Sequence, residues 1–530
     1  MNRKLVFIIS IVFSLSAAAQ KHAPQNWFNL DWETDKFPGV STNKAYIELL
    51  KGKTPKPVVV AVIDGGTDIN HEDLKDIIWV NQKEIAGNGI DDDKNGYVDD
   101  VNGWSFISGK DSDVREDNYE LVRMYKSLQP LYAKTDSSGM DDKSKKAFRE
   151  YIGIRNKFLE KKEENSRMFE LLGGMMQALN TIRQVTGSDN PSLKRIKAFE
   201  PSTTMEGLAK KNLLKFNKYG MDIPALSRQL QAEMDYYGKA VKYSYNPDFD
   251  TRTIVGDNYE NLSECCYGSN RVSGPKGEHG THVAGIIGAV RDNGVGMNGV
   301  ANSVRIMVLR AVPDGDERDK DVANAIRYAA NNGASIINMS FGKDYSPDKK
   351  TVDEAVKYAM SKDVLIVHAA GNDSKNTGIE NNFPNPEYAD GSGFAPNWIE
   401  VGASSWRTKK YLTADFSNYG KERVDLFAPG VDIYSTLPGQ SYGSYNGTSM
   451  AGPVTAGVAA IIRSYYPQFT AAEVKEILLQ SVTTVKKKVL IPGENHKKTK
   501  LLELCRSGGI VNAFQAVKLA EERSKTTVRR

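Results

Sequence analysis

The chain has 530 residues, 40% of them hydrophobic and 26% charged, with a net charge of +4. That is a globular balance with enough apolar residues for a large core, so a disordered or fibrous chain is excluded. No compact basic block interleaved with aromatics is present, so nucleic acid is not expected as a partner.

The first predicted element is a Sec-type signal peptide at 1–19. "MNRKLVFIISIVFSLSAAAQ" places Arg3 and Lys4 before an apolar run, Leu5 to Leu15, and ends in Ala17-Ala18-Ala19. The run is too short to span a bilayer, and the small residues suit cleavage. No cysteine follows them, so a lipid anchor is not expected. With no second long apolar run, the mature chain is expected to be secreted or periplasmic, without membrane insertion. The three cysteines, Cys265, Cys266 and Cys505, leave at least one thiol unpaired within a monomer. A bond between the two adjacent ones would be strained, and a bridge from either to Cys505 stays open.

After an extension at 20–57, "VVVAVID" (Val58–Asp64) reads as a strand buried on both faces. Beyond it, "NGIDDDKNGYVDDVNGW" (Asn88–Trp104) packs five aspartates into ten residues. Asp91, Asp93, Asn95, the Tyr97 carbonyl and Asp99 have the spacing of an EF-hand-type loop, with Gly96 at the bend. Position 12 is Asn102, so Asp100 is the candidate to close the shell. Structural Ca²⁺ is expected; the plain alternative is a solvated acidic turn.

Residues 111–245 change character, becoming rich in Lys, Glu, Gln, Met and Leu with opposite charges at helical spacing. They are expected to form an inserted helical hairpin or small bundle. The α/β style resumes over 246–520. "VRIMVLRAV" (Val304–Val312), "SIINMSFG" (Ser335–Gly342) and "VLIVHAAGN" (Val364–Asn372) read as strands. "DVANAIRYAANNG" (Asp321–Gly333) and "VDEAVKYAMSKD" (Val352–Asp363) read as helices between them. This alternation predicts βαβ units around a parallel sheet. "TSMAGPVTAGVAAIIRSYYP" (Thr448–Pro467) is expected to be a long helix of small residues in the core. The charged tail, 521–530, is expected to fray.

Three segments carry candidate chemistry. Asp64 ends the first buried strand, where open α/β sheets place functional groups; it also suits a turn. Ser449 in "GTSMAGP" heads the small-residue helix, where amide groups and the helix dipole favour an oxyanion; an N-cap is the plain alternative. Asn372 in "AAGND" follows a buried strand and suits either an oxyanion donor or a turn. "GEHGTHVAG" (Gly277–Gly285) holds His279 and His282. Zinc is the weaker reading there, because "HGTH" lacks the glutamate of H-E-x-x-H and no third ligand is evident. A serine, a histidine and an aspartate at one sheet edge suit nucleophilic acyl transfer.

Together, "VVVAVIDGG", "HGTHVAGIIGA" and "GTSMAGP" resemble the subtilisin-like serine peptidase family, in that family's order Asp, His, Ser. The resemblance covers about 58–104 and 268–520. It implies a three-layer α/β/α fold on a mainly parallel seven-stranded sheet, and peptide hydrolysis through a seryl acyl-enzyme. It implies Asp64 as orienting acid, His279 as general base, Ser449 as nucleophile and Asn372 as oxyanion donor, with His282 structural. Polypeptides are the implied substrates, and the family often binds calcium. "NMSFG" (Asn338–Gly342) looks like the substrate-pairing edge and S1 wall, giving Ser340, Phe341 and Gly342, with Ala370 and Gly371 across the pocket. "LRAVPDGD" (Leu309–Asp316) looks like the opposite edge. Asn382 stands at the S1 base, where the family often has glycine, and is expected to narrow the pocket; Asp373 is expected to add negative charge at its rim.

Two features depart from the family. The 38 residues at 20–57 are too few for the usual propeptide, and Asp64 and His279 lie 215 positions apart. The insertion is therefore a candidate folding aid, lid or exosite, or else a decorative partner surface. A catalytically silent peptide-binding protein and a peptide ligase are the competing functions.

Overall fold

The computed structural model describes residues 23–217, 222–275 and 277–527. The expected signal peptide lies outside them. The chain forms two compact units: Ala23–Thr135 together with the chain from Pro247 onward, and Asp136–Asn246. Among the described residues no helix is long and apolar enough to cross a membrane.

The first unit is built on one sheet. Its strands are β1 (Val58–Asp64), β2 (Gly103–Ser105), β3 (Val304–Arg310), β4 (Ile336–Met339), β5 (Leu365–Ala369), β6 (Trp398–Ser404) and β7 (Leu426–Pro429). A hairpin, β8 (Ile433–Leu437) and β9 (Ser441–Tyr445), and a small pair, β11 (Val489–Leu490) and β12 (Lys498–Thr499), stand apart from it. The sheet order is β10-β13-β7-β6-β5-β4-β1-β3-β2. The seven expected strands are thus joined at one edge by β10 (Thr483–Thr484) and β13 (Gly509–Ile510), two residues each. Every pairing is parallel except β10 with β13.

Alternation along β1 explains the layers. Val60 and Val62 enter a core with Val283, Ile286 and Val458, on helices Glu278–Gly288 and Thr448–Tyr465. Ala61 and Ile63 enter a second core with Ile326, Ala329 and Val356, on helices Asp319–Asn331 and Lys349–Ser361. Successive side chains of a strand point to opposite faces, so a run that is apolar throughout needs helices on both. The strand order turns about β1, which lies between β3 and β4; such a switch point leaves a crevice at the strands' C-terminal ends.

The second unit is helical. Helix Asp142–Thr186 runs 45 residues and ends at Gly187, whose φ is +63°. Its Leu172, Leu179 and Ile182 share a core with Leu213, Leu226 and Leu230, on helices Thr204–Phe216 and Ile223–Lys239. Thr203 and Glu206 close a capping box at one helix start, and Asp222 caps the other. Residues 111–135, although charged, belong to the first unit. At the other end the expected frayed tail is helix as far as Thr527. It is tied down by Glu521 to Lys53, 3.4 Å, and by Arg523 to Gln480, 2.7 Å.

Candidate active site

The carboxyl ends of β1, β4 and β5 lead into Asp64, Ser340 and Asn372, and two helices carry His279 and Ser449. Asp64 is buried at the end of β1. Its Oδ1 accepts from Gly65 N–H at 2.7 Å, and its oxygens take His279 Nδ1 at 2.9 and 2.8 Å. Helix Glu278–Gly288 can come this close because of Gly280. A Cβ there would stand 2.2 Å from the Gly66 carbonyl oxygen and 3.1 Å from Asp64 Cβ. A carboxylate only accepts, so Nδ1 carries the proton toward Asp64 and Nε2 is left for the opening. Burial disfavours the imidazolium, but the charge of Asp64 and its hydrogen bond outweigh that and hold the His279 pKa above the ordinary 6.5.

His282, one turn on, has the opposite environment. It is fully buried, donates from Nε2 to the Gly443 carbonyl at 3.1 Å and stacks on Tyr445 at 4.5 Å. Burial pushes its pKa down to about 3, so it stays neutral. The histidines differ because only one meets a carboxylate.

Ser449 is in the first turn of helix Thr448–Tyr465, where main-chain N–H groups have no intrahelical acceptor. Its Oγ donates to the Ser340 carbonyl at 3.2 Å, and Ser340 Oγ donates to the Ser449 carbonyl at 3.0 Å. The hydroxyl is thus bonded to Ser340 and not to His279. Ser340 links the two, because it also lines a cavity of about 320 Å³ with Asp64, His279, Arg115, Pro313 and Asp314. Asn372 Oδ1 accepts from Thr448 N–H at 2.9 Å and Thr448 Oγ at 3.0 Å, leaving its Nδ2 donors for another acceptor.

At the expected S1 pocket, Asn382 Nδ2 donates to the Ala370 carbonyl at 3.1 Å, and its amide lies 3.0 Å from where a Gly342 Cβ would be. The amide therefore stands between Gly342 and Ala370. Phe341, between Ser340 and Gly342, has its carbonyl bonded to His368 Nε2 at 2.8 Å. Asp373 does not leave the rim purely negative, since Lys375 Nζ lies 3.7 Å from it. Sequence reasoning passed over Asn418, in "DFSNYG", which is buried and organises this loop. It donates to the Ala370 carbonyl at 2.8 Å and accepts from Asp373 and Lys375 N–H at 3.0 and 2.8 Å.

The opposite edge has a backing that sequence also missed. Asp314 N–H donates to the Arg115 carbonyl and its own carbonyl accepts from Asp117 N–H, at 2.8 and 2.9 Å. Just beyond, Lys343, the residue after Gly342, is buried against Glu120, the Glu317 carbonyl and Asp319, each at 2.8 Å. Burial would raise the Glu120 pKa, but Lys343 and Arg123 outweigh it and hold it at about 2. Glu317 goes the other way: burial, with Asp316 beside it, pushes its carboxyl up to about 8 despite Lys343.

In the acidic loop, Glu84, Asp91 and Asp93 offer oxygens within 4.8 Å of one another. Glu84 Oε2 is buried with no hydrogen-bond partner. Asn95 and Gly96 N–H brace Asp91 at 3.0 and 2.8 Å, and the Asn95 side chain accepts from Tyr97 N–H at 2.8 Å. Asp99 and Asp100 are not brought into this group. Asp99 accepts from the N–H groups of Gly87, Asn88 and Gly89 at 2.8, 3.2 and 2.8 Å. Asp100 is taken up by Asn81, Asn95 and Tyr328. Three converging carboxylates, one of them with an unpaired buried oxygen, suit a hard cation with oxygen ligands.

The chain is similar to several known proteins. A thermophilic serine proteinase of Bacillus sp. (strain AK1) is 39% identical over 225 residues, 42% of this chain and 50% of that protein. Subtilisin NAT of Bacillus subtilis subsp. natto is 39% identical over 207 residues, 39% of this chain and 50% of that protein. The chain spans about half the length of these curated relatives. A solved protease from Pseudoalteromonas arctica PAMC 21717 is 20% identical, with a TM-score of 0.47, covering 95% of this chain and 100% of that one. The model of the subtilase family matches residues 55–505, most of the sequence, and the chain belongs to that family.

Proposed function

We propose that the chain is an exported serine endopeptidase acting on polypeptides. The observation that carries this is the Asp64–His279 pair, 2.8 Å apart, at the sheet edge where Ser449 heads a helix. Ser449 Oγ leaves the Ser340 carbonyl for His279 Nε2, gives up its proton there and attacks the substrate carbonyl carbon. Asp64 holds the imidazole in the Nδ1–H tautomer and stabilises the imidazolium that forms. The oxyanion takes hydrogen bonds from Ser449 N–H and Asn372 Nδ2, both fixed before reaction, which is where most of the rate gain of such sites arises. His279 then protonates the leaving amine, and water repeats the sequence on the acyl-enzyme.

Substrate would lie extended between Ser340–Gly342 and the Val312–Asp316 edge, adding a strand, with P1 against Ala370, Gly371 and Asn382. Export rests on the leader-like sequence at 1–19. A calcium ion bound for stability would be held by Glu84, Asp91 and Asp93, and takes no part in the chemistry.

Labelling with a fluorophosphonate and mapping the adduct tests the reading. The adduct is expected on Ser449, and Ser449→Ala is expected to lower kcat by a factor on the order of 10⁶. A folded protein with no adduct and no peptide cleavage would leave only a silent peptide-binding protein. Joined rather than hydrolysed products would indicate a ligase.

A further inference from the structure

Cys265 and Cys266 are neighbouring free thiols, the first exposed and the second partly buried. Cys505 is buried in another cluster with Leu501 and Leu504. Beside the pair is a cavity of about 530 Å³, lined by both cysteines with Asn95, Tyr97, Arg327 and Glu354. The pair also touches the acidic loop. Gly96 has φ +97°, and a Cβ on it would stand 2.6 Å from Cys266 Sγ. The bend that carries Asp91 and Asp93 therefore rests directly on that sulfur.

We propose that Cys265 and Cys266 form a reversible redox site, closing to a vicinal disulfide in the presence of a small-molecule disulfide and moving the sulfur that supports Gly96. The Cys265 thiolate attacks the oxidant RSSR; one RS⁻ departs and a mixed disulfide remains. The Cys266 thiolate then attacks the Cys265 sulfur, forming the Cys265–Cys266 bond and releasing the second RS⁻. The two cysteine protons end on two RSH, and the two electrons lost by the cysteines reduce the oxidant. Exposure makes Cys265 the entry point, and the cavity beside it admits the oxidant. Adjacent Cα atoms stand about 3.8 Å apart, below the usual span of about 4.4–6.8 Å for a bridge. The bond is therefore strained and easily reduced, as regulatory disulfides are and structural ones are not.

The test uses the full chain, incubated with oxidised and then with reduced glutathione, denatured, alkylated with iodoacetamide and mapped by mass. After oxidation the peptide holding Cys265 and Cys266 should carry no alkyl group and be two hydrogens lighter, while Cys505 is alkylated. Reduction should restore both alkyl groups. Hydrogen exchange across residues 88–100 should change on oxidation, and not at all in Cys265→Ser. Full alkylation of both residues, a lasting glutathione adduct on Cys265 alone, or a bridge between two chains overturns the proposal. So does a disulfide that forms with no change in exchange at the loop.

Discussion

Thr448 holds Asn372 by two hydrogen bonds to a single atom: its N–H and its Oγ both reach Asn372 Oδ1, at 2.9 and 3.0 Å. The same Oγ accepts from Gly371 N–H at 3.1 Å. Asn372 is a donor to the developing oxyanion only if its oxygen is committed elsewhere, and Thr448 supplies that commitment. Asn372→Ala should lower kcat by about 10²–10³ with little change in KM. Thr448→Val keeps the N–H bond and loses the hydroxyl, worth about 1 kcal/mol, so kcat should fall about fivefold. Thr448→Ser should recover it. Steady-state kinetics on one peptide substrate checks all three.

His279 gives a pH prediction with a definite sign. A base works when neutral, and the pKa of His279 is raised above 6.5 because the charge and hydrogen bond of Asp64 outweigh burial. The acid limb of kcat/KM should therefore lie above pH 6.5, activity being lost as pH falls through it. Asp64→Asn removes the charge that raises the His279 pKa, so the limb should move to lower pH, while kcat drops about 10⁴-fold because the tautomer is no longer fixed. A limb that does not move would assign it to another group.

Near Gly342, Glu317 makes stability depend on pH, while the buried Lys343 acts through the carboxylates it holds. The Glu317 carboxyl is raised to about 8 from an ordinary 4.5, chiefly by burial. A raised acid binds more protons folded than unfolded, so stability falls as pH climbs from about 4.5 to about 8. Glu317→Gln should be neutral at pH 4 and raise Tm progressively up to pH 8. Among the described residues, Lys343→Met leaves Glu120 with Arg123 as its one cation and Asp319 with Ser346 and Asp348 N–H only, and should cost about 3–5 kcal/mol. Thermal melts at several pH values separate the two effects.

Asn382 gives a specificity prediction. Its amide stands between Gly342 and Ala370, the space an S1 side chain would enter. Asn382→Gly should raise kcat/KM for Phe over Ala at P1 by about 10–200-fold, the range for one filled or emptied apolar space. A library profile unchanged at P1 would place the S1 base elsewhere.

What the sequence revealed was local. β1 and the small-residue helix behind Ser449 are read from local patterns; around His279 only a motif is legible, and the helix Glu278–Gly288 that carries it comes from the structure. The sheet edge shared by Asp64, Ser340 and Asn372 follows from the βαβ alternation. What stayed hidden depends on distance along the chain or on the direction of a side chain. Residues 111–135 read as part of an inserted helical hairpin or bundle, yet Glu120 meets Lys343 across 223 positions and is buried there. The spacing of the aspartates gave no sign that Asp99 would turn back onto the amides of residues 87–89. It also gave no sign that Glu84, seven positions before Asp91, would turn in. The polar tail looked frayed because its anchors, Lys53 and Gln480, lie elsewhere in the chain.

That division within the acidic loop can be tested by metal removal. If Glu84, Asp91 and Asp93 hold calcium, chelation should lower Tm, and the loss should grow with the calcium it replaces, about 2.7 kcal/mol at a hundredfold excess over Kd. Glu84→Gln and Asp93→Asn should melt at the chelated temperature whether or not calcium is added. Asp99→Asn should behave differently. Its oxygens serve the N–H groups of Gly87, Asn88 and Gly89, so its loss should lower Tm both with and without the ion and leave the calcium increment in place. If Asp99→Asn abolishes the increment and Glu84→Gln does not, the ligands are those of the linear spacing rather than those of the folded loop.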